Sequence, residues 1–142
     1  MKIAIGNDHA GTEYKKEIKK MLLREKHTVN NHGTDDDQSV DYPDHIHPVA
    51  NQVEKNEVDF GIIICGSGNG ANMTANKHQK IRSALCWNKK TAELSRTHNN
   101  ANILSIPSRF VNLEKAKEMV KVFLNTSFEG GRHLIRINKI PK

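Results

Sequence analysis

Cysteine is scarce in this chain: Cys65 and Cys86 are the only two among 142 residues. Two thiols make neither a disulfide framework nor a CxxC metal pair. Long apolar runs are missing as well. Nothing approaches the ~18–20 residues of a membrane span, so no membrane partner is expected. The chain opens on the strand-like Lys2-Ile3-Ala4-Ile5-Gly6 rather than on a signal peptide. The expected compartment is a reducing cytoplasm, which suits a free reactive thiol. Aromatic residues make up 5% of the chain and hydrophobic residues 36%. A long basic block is absent too. Lys and Arg number 22 against 16 Asp and Glu, a net charge of +6, but the excess is scattered. That balance favours an anionic partner such as a phosphorylated metabolite, and it offers no basic stripe for nucleic acid.

The richest stretch is Asp59-Phe60-Gly61-Ile62-Ile63-Ile64-Cys65-Gly66-Ser67-Gly68-Asn69-Gly70-Ala71-Asn72. Phe60 to Ile64 reads as a strand buried on both faces, as in a parallel sheet. It runs into a thiol and three alternate glycines, followed by a mild helical stretch to Lys77. Glycines let the backbone turn sharply and approach a ligand. Free N–H groups at the next helix start favour an anion. A cysteine at such a loop is expected to be more acidic than usual, since helix N-termini bring thiol pKa values to about 3.5–7.5. The alternative is a buried structural cysteine beside a tight turn.

Strands and helices alternate along the rest of the chain. Lys2–Gly6 is a strand, and Tyr14, Ile18, Met21 and Leu22 recur at helical spacing over 12–25. Residues 28–30 make a weak second strand, followed by a polar loop through Ser39. Asp44 is expected to open a helix whose apolar face is Ile46, Val49, Ala50 and Val53. Residues 81–86 read as the fourth strand, and Asn88 as the cap of a helix reaching Thr97. Ile103–Ile106 is the fifth strand. Asn112 caps a helix with Ala116, Met119, Val120, Phe123 and Leu124 inside, and residues 134–137 suit a short tail helix. The pattern predicts one domain over residues 1–142: a doubly wound, Rossmann-like parallel α/β sheet of about five strands, flanked by helices. Ligands of such sheets sit past the carboxyl ends of the strands. Asp8 and His9, Cys65 to Gly70, and Arg109 all follow strands there.

Several clusters admit two explanations. Gly66-x-Gly68-x-x-Ala71 approaches a dinucleotide fingerprint, yet it follows the third strand and no carboxylate stands about 20 residues later. Asp8 and His9 can orient a hydroxyl or contact a phosphate, or simply shape a turn. His98 can move a proton near neutral pH, or its charge can favour a helix C-terminus. Asp41, Asp44, His45 and His47 raise the possibility of a metal, but His45 and His47 do not face each other on a helix, and no metal is expected there. Arginines number only six, and two of them, Arg132 and Arg136, stand four apart. On a helix they share a face and suit a phosphate; otherwise they belong to a solvated basic tail.

With these residues in view, the chain resembles the type B ribose-5-phosphate isomerases, a family shared with the galactose-6-phosphate isomerase subunits. The likeness runs nearly end to end. It rests on Gly6-Asn7-Asp8-His9-Ala10-Gly11, Asp41-Tyr42-Pro43, Cys65-Gly66-Ser67-Gly68-Asn69-Gly70, Ala75-Asn76-Lys77, Leu94-Ser95-Arg96-Thr97-His98-Asn99, Ser108-Arg109 and Glu129-Gly130-Gly131-Arg132-His133. The resemblance implies a cofactor-free aldose–ketose isomerase acting on a sugar phosphate. By it, Cys65 is the base that shuttles a proton between C2 and C1 through an enediolate. Ser67 assists at the oxygens, and the amides of Gly66, Gly68, Asn69 and Gly70 hold the oxyanion. His98, helped by Asp8, opens the furanose ring. Tyr42 and Asn99 meet sugar hydroxyls, and His9, Arg109, Arg132 and Arg136 hold the phosphate. It also implies a homodimer or dimer of dimers with active sites shared between subunits. Ser67 stands where many relatives have threonine, and Asn69 where an apolar residue is common. The expected substrate is ribose 5-phosphate, with allose or galactose 6-phosphate as the alternative. A non-catalytic binding module on the same fold would tolerate loss of Cys65. The isomerase assignment requires that thiol to stand under an open hollow within reach of guanidinium groups.

Overall fold

The computed structural model describes residues 1–142. Its five strands are β1 (Lys2–Asn7), β2 (Thr28–Asn31), β3 (Phe60–Cys65), β4 (Ser83–Leu85) and β5 (Ile103–Pro107). The helices are α1 (Thr12–Arg24), α2 (Tyr42–Glu54), α3 (Asn69–Ala75), α4 (Lys89–Thr97), α5 (Leu113–Asn125) and α6 (Arg132–Ile137). The strands form one sheet in the order β2-β1-β3-β5-β4, with every pairing parallel. No helix is long and apolar enough to cross a membrane.

Strand alternation sorts the core into two layers. Ile3, Ile5, Ile62, Ile64, Leu104 and Ile106 face α1, α4 and α5 in the larger layer. Ala4, Ile63, Cys65 and Ile103 face α2 and α3 in the smaller one. Ile62, Ile63 and Ile64 are fully buried, each worth about 1.5–3 kcal/mol of apolar transfer. The parity of β3 therefore aims the Cys65 side chain at the α2–α3 side.

Two glycines allow α2 to lie close to the sheet. A Cβ on Gly6 would fall 2.5 Å from the His45 carbonyl oxygen, and one on Gly61 would fall 2.8 Å from Val49. That close seat carries the start of α2 over the carboxyl end of β3. The helix begins at Tyr42 with Asp41 as its cap residue, not at Asp44 as expected. Pro43 lies in the first turn, where a missing N–H costs no helical bond. The fourth strand is also shorter than expected, three residues instead of six. Residues 81 and 82 lie outside the ladder, and the Arg82 N–H is taken by the Asn102 side chain at 2.8 Å. The expected caps hold: Asn88 forms a capping box with Thr91, and Asn112 accepts from the Lys115 N–H.

Candidate active site

The order of connection reverses between β1 and β3, and sheets of this kind bind ligands past the carboxyl ends at that point. Register puts Asn7 opposite Ile64 and Cys65 opposite Pro107. Asp8, Cys65 and Ser108 are thereby brought together from three strands. The Asp8 carboxylate accepts from the Ala10 N–H at 2.9 Å, which fixes the turn after β1. His9 Nδ1 accepts from the Val40 N–H at 3.2 Å. The Ser108 hydroxyl donates to the Ala10 carbonyl at 2.8 Å and ties the β5 exit to the β1 turn.

The glycine loop is shaped by close approaches. Gly68 has φ +76°, the left-handed region that favours glycine. Its carbonyl accepts from the fully buried Ser105 hydroxyl at 2.9 Å. A Cβ on Gly70 would lie 2.5 Å from the Tyr42 ring, so the aromatic ring covers the loop. A Cβ on Gly66 would meet the Arg109 side chain at 3.2 Å, so that guanidinium stem lies across the loop. The Asn69 N–H donates to the Ser67 hydroxyl at 3.3 Å.

Cys65 departs from expectation. It is 4% exposed, and burial pushes its thiol pKa up rather than down. The nearby Asp8 charge adds to that rise, while N–H groups of Ala71 and Gly68 and the Arg109 charge oppose it. The physical reason is parity: the side chain points into the smaller core layer, where lost hydration outweighs the loop's donors. The donors directed at the sulfur are the N–H groups of Ala71 and Gly68, and Ala71 enters the sequence reading only as the last position of the Gly66-x-Gly68-x-x-Ala71 match.

His98, Asn99, Arg132 and Arg136 do not join this cluster within the chain. α4 returns from the carboxyl end of β4 to the amino end of β5, and His98 caps it there. β5 has five residues, so at ~3.3 Å per residue its two ends stand well over 10 Å apart. The second cluster is built locally. His98 stacks on His133 with ring centroids 4.3 Å apart and planes 12° from parallel. His133 Nε2 lies 3.6 Å from Glu129. Desolvation, then the neighbouring His98 and Arg132, lowers the His133 pKa. Arg82 donates to the Asn99 and Asn100 carbonyls at 3.0 and 3.1 Å. The buried Arg96 donates to the Asn100 side chain at 2.9 Å and lies over the Phe60 ring at 4.8 Å. These two guanidiniums fix the turn that presents His98 and Asn99. Neither they nor His133 and Glu129 were assigned from sequence; their signal was the Ser95-Arg96-Thr97-His98 and Glu129-to-His133 motifs.

Donor atoms of His98, Glu129 and His133 lie within 4.8 Å of one another. The stacked rings hold their in-plane lone pairs in parallel planes, so the two cannot both point at one ion. The arrangement suits proton handling better than chelation. Arg132 and Arg136 are exposed on α6, four residues apart on one face, and are free to meet an anion.

Fold and sites together define an α/β protein equipped for acid–base work on an anionic ligand. Residues 3–140 match the family described as Ribose/Galactose Isomerase, and the chain belongs to it and is an isomerase. It is 43% identical to ribose-5-phosphate isomerase B of Escherichia coli, over 98% of this chain and 93% of that one. The solved ribose-5-phosphate isomerase B of Clostridium thermocellum superposes with a TM-score of 0.97 at 46% identity, covering 99% of this chain and 95% of that one. The Mycoplasma genitalium isomerase B, solved with bound ribulose 5-phosphate, superposes at 0.94 with 44% identity, covering 98% and 93%.

Proposed function

We propose that this chain interconverts D-ribose 5-phosphate and D-ribulose 5-phosphate as a single cofactor-free domain in a reducing cytoplasm. The observation that carries the mechanism is the Cys65 sulfur at the carboxyl end of β3, met by the Ala71 and Gly68 amides with the Arg109 charge nearby. The thiolate of Cys65 takes the C2 proton of the open-chain aldose and returns it to C1. Ser67 moves protons at the two oxygens, and amides of Gly66, Gly68, Asn69 and Gly70 receive the enediolate charge. Preorganised donors matter here because a C–H beside a carbonyl is a weak acid; one such donor elsewhere is worth about 10²–10³ in rate. His98 opens the furanose ring with Asp8. Tyr42 and Asn99 take sugar hydroxyls, and His9, Arg109, Arg132 and Arg136 hold the phosphate.

These groups sit at opposite ends of one sheet, so the pocket is completed by a second copy of the chain. Each half is flanked by exposed apolar side chains: Trp87 and Phe110 beside Arg109, Leu134 and Ile135 beside Arg132. A two-fold dimer sets the thiol half of one chain against the histidine half of the other, twice. Cations arriving from the partner favour the thiolate and offset the burial that raises Cys65. The likeness to relatives named ribose-5-phosphate isomerase B favours five carbons over six.

The test is Cys65→Ala assayed on ribose 5-phosphate. A general base contributes ~10²–10⁴ in rate, so kcat is expected to fall by at least about 10²-fold with substrate affinity largely kept. Normal turnover in that variant would favour the non-catalytic binding module. A kcat/KM on allose or galactose 6-phosphate above that on ribose 5-phosphate would favour a six-carbon substrate.

A further inference from the structure

The Asp41–His47 segment does not gather as a cluster, because its histidines diverge. His45 Nδ1 lies 2.9 Å from the His32 carbonyl, facing β2. His47 instead meets a histidine from another element. Its Nδ1 is 2.9 Å from Nε2 of His78, in the turn after α3. The other nitrogen of His78, Nδ1, lies 3.2 Å from a Glu54 carboxylate oxygen. The second Glu54 oxygen accepts from the Lys80 N–H at 3.1 Å. That backbone bond, then the bond to His78, holds the Glu54 pKa down.

This order of groups fixes a tautomer. The Glu54 carboxylate accepts from the His78 Nδ1–H, and that tautomer presents a lone pair on Nε2. That lone pair points at a second imidazole nitrogen. At 2.9 Å the His47 Nδ1–H donates to that lone pair, and a metal ion can take the place of that one proton. A carboxylate behind a histidine is also the arrangement that orients metal-ligating imidazoles and raises their basicity. Nitrogens bound to one tetrahedral ion at ~2.0–2.1 Å are about 3.3 Å apart. The observed separation therefore needs to widen by only a few tenths of an ångström. Imidazole pairs suit borderline ions such as Zn²⁺, Ni²⁺ and Cu²⁺ over Ca²⁺ or Mg²⁺.

We propose that His47 and His78, braced by Glu54, bind one borderline divalent transition-metal ion. Asp44 stands one turn before His47 on the same helix face and is exposed, which offers an oxygen ligand beside water. The ion ties α2 to the turn after α3, the two helices that carry Tyr42 and the glycine loop. It takes no part in the isomerisation, and nothing in the site depends on the proposed reaction.

Zn²⁺ titrated into the metal-stripped protein by calorimetry, with Co²⁺ absorption as a second probe, tests this. One binding event per chain is expected at this pair, with a rise in Tm. His47→Ala combined with His78→Ala should abolish that event while isomerase activity stays unchanged. Glu54→Gln should weaken it about 10–100-fold. His133→Ala should leave it in place, which separates it from the tail cluster. Two results overturn the proposal: no Zn²⁺ binding in the unaltered chain, or binding that persists in the double variant.

Discussion

At the scale of single residues, the two thiols carry the clearest consequence of burial. Cys86 is 1% exposed, and burial pushes its pKa up to about 11. In the unfolded chain a thiol titrates near ~8.5. Between those values the unfolded chain has lost a proton that the folded chain retains. Stability therefore falls as pH rises through that window, by about 3 kcal/mol once it is crossed. Cys65 is raised in the same direction and adds to the loss. Thermal melts from pH 8 to 11 should show Tm falling more steeply in the unaltered protein than in Cys86→Ala. Equal slopes in the two proteins would mean that Cys86 ionises freely. Position along the chain was enough to place Cys65 at the mouth of β3 beside Asp8. Its burial was not legible, because the face of β3 it occupies depends on which helices cover which side. Acidity inferred from a loop's amides holds only where water or a cation can still reach the sulfur.

At the scale of elements, glycine geometry sets two predictions. Gly68 pairs a positive φ with a carbonyl pinned by Ser105, and a Cβ there would lie 2.4 Å from Leu85 Cδ1. Gly68→Ala is expected to cost about 1–3 kcal/mol from the left-handed backbone alone. It also displaces an N–H aimed at the sulfur, so kcat should drop about 10²-fold with a smaller change in KM. A variant of unchanged kcat would detach the loop from the chemistry. Gly130 and Gly131, at φ +71° and +56°, turn the chain so that α6 presents Arg132 and Arg136 side by side. Arg132→Ala and Arg136→Ala should each raise KM for the sugar phosphate about tenfold or more, since hydrogen bonds to charged groups are worth ~1.5–3 kcal/mol. Unchanged KM in both would remove α6 from the phosphate site. Periodicity found these elements because each buries one apolar stripe. It misplaced the start of α2, where Pro43 sits inside the first turn rather than before it, and it overextended β4, where side chains of Asn76 and Asn102 replace ladder bonds.

At the scale of the whole molecule, the expectation of sites shared between subunits came from the family resemblance, not from the order of motifs along the chain. The motifs of Cys65 and His98 lie 33 residues apart in the chain, yet α4 carries His98 to the far end of the sheet. A parallel strand followed by a returning helix does this necessarily, so the proposed pocket draws its thiol and its histidine from two copies. That gives a test independent of any single rate. Cys65→Ala and His98→Ala chains, each inactive alone, are unfolded together and refolded at equal concentration. Random pairing makes half of the dimers mixed. In a mixed dimer one site collects both substitutions and the other collects neither. One site in two is then intact in half of the dimers, so activity should return to roughly a quarter of the unaltered level. If each pocket were complete within one chain, every site would keep one lesion and mixing would restore nothing. Recovery that scales with the fraction of mixed dimers, measured at several mixing ratios, would place the thiol and the histidine of each pocket on different chains.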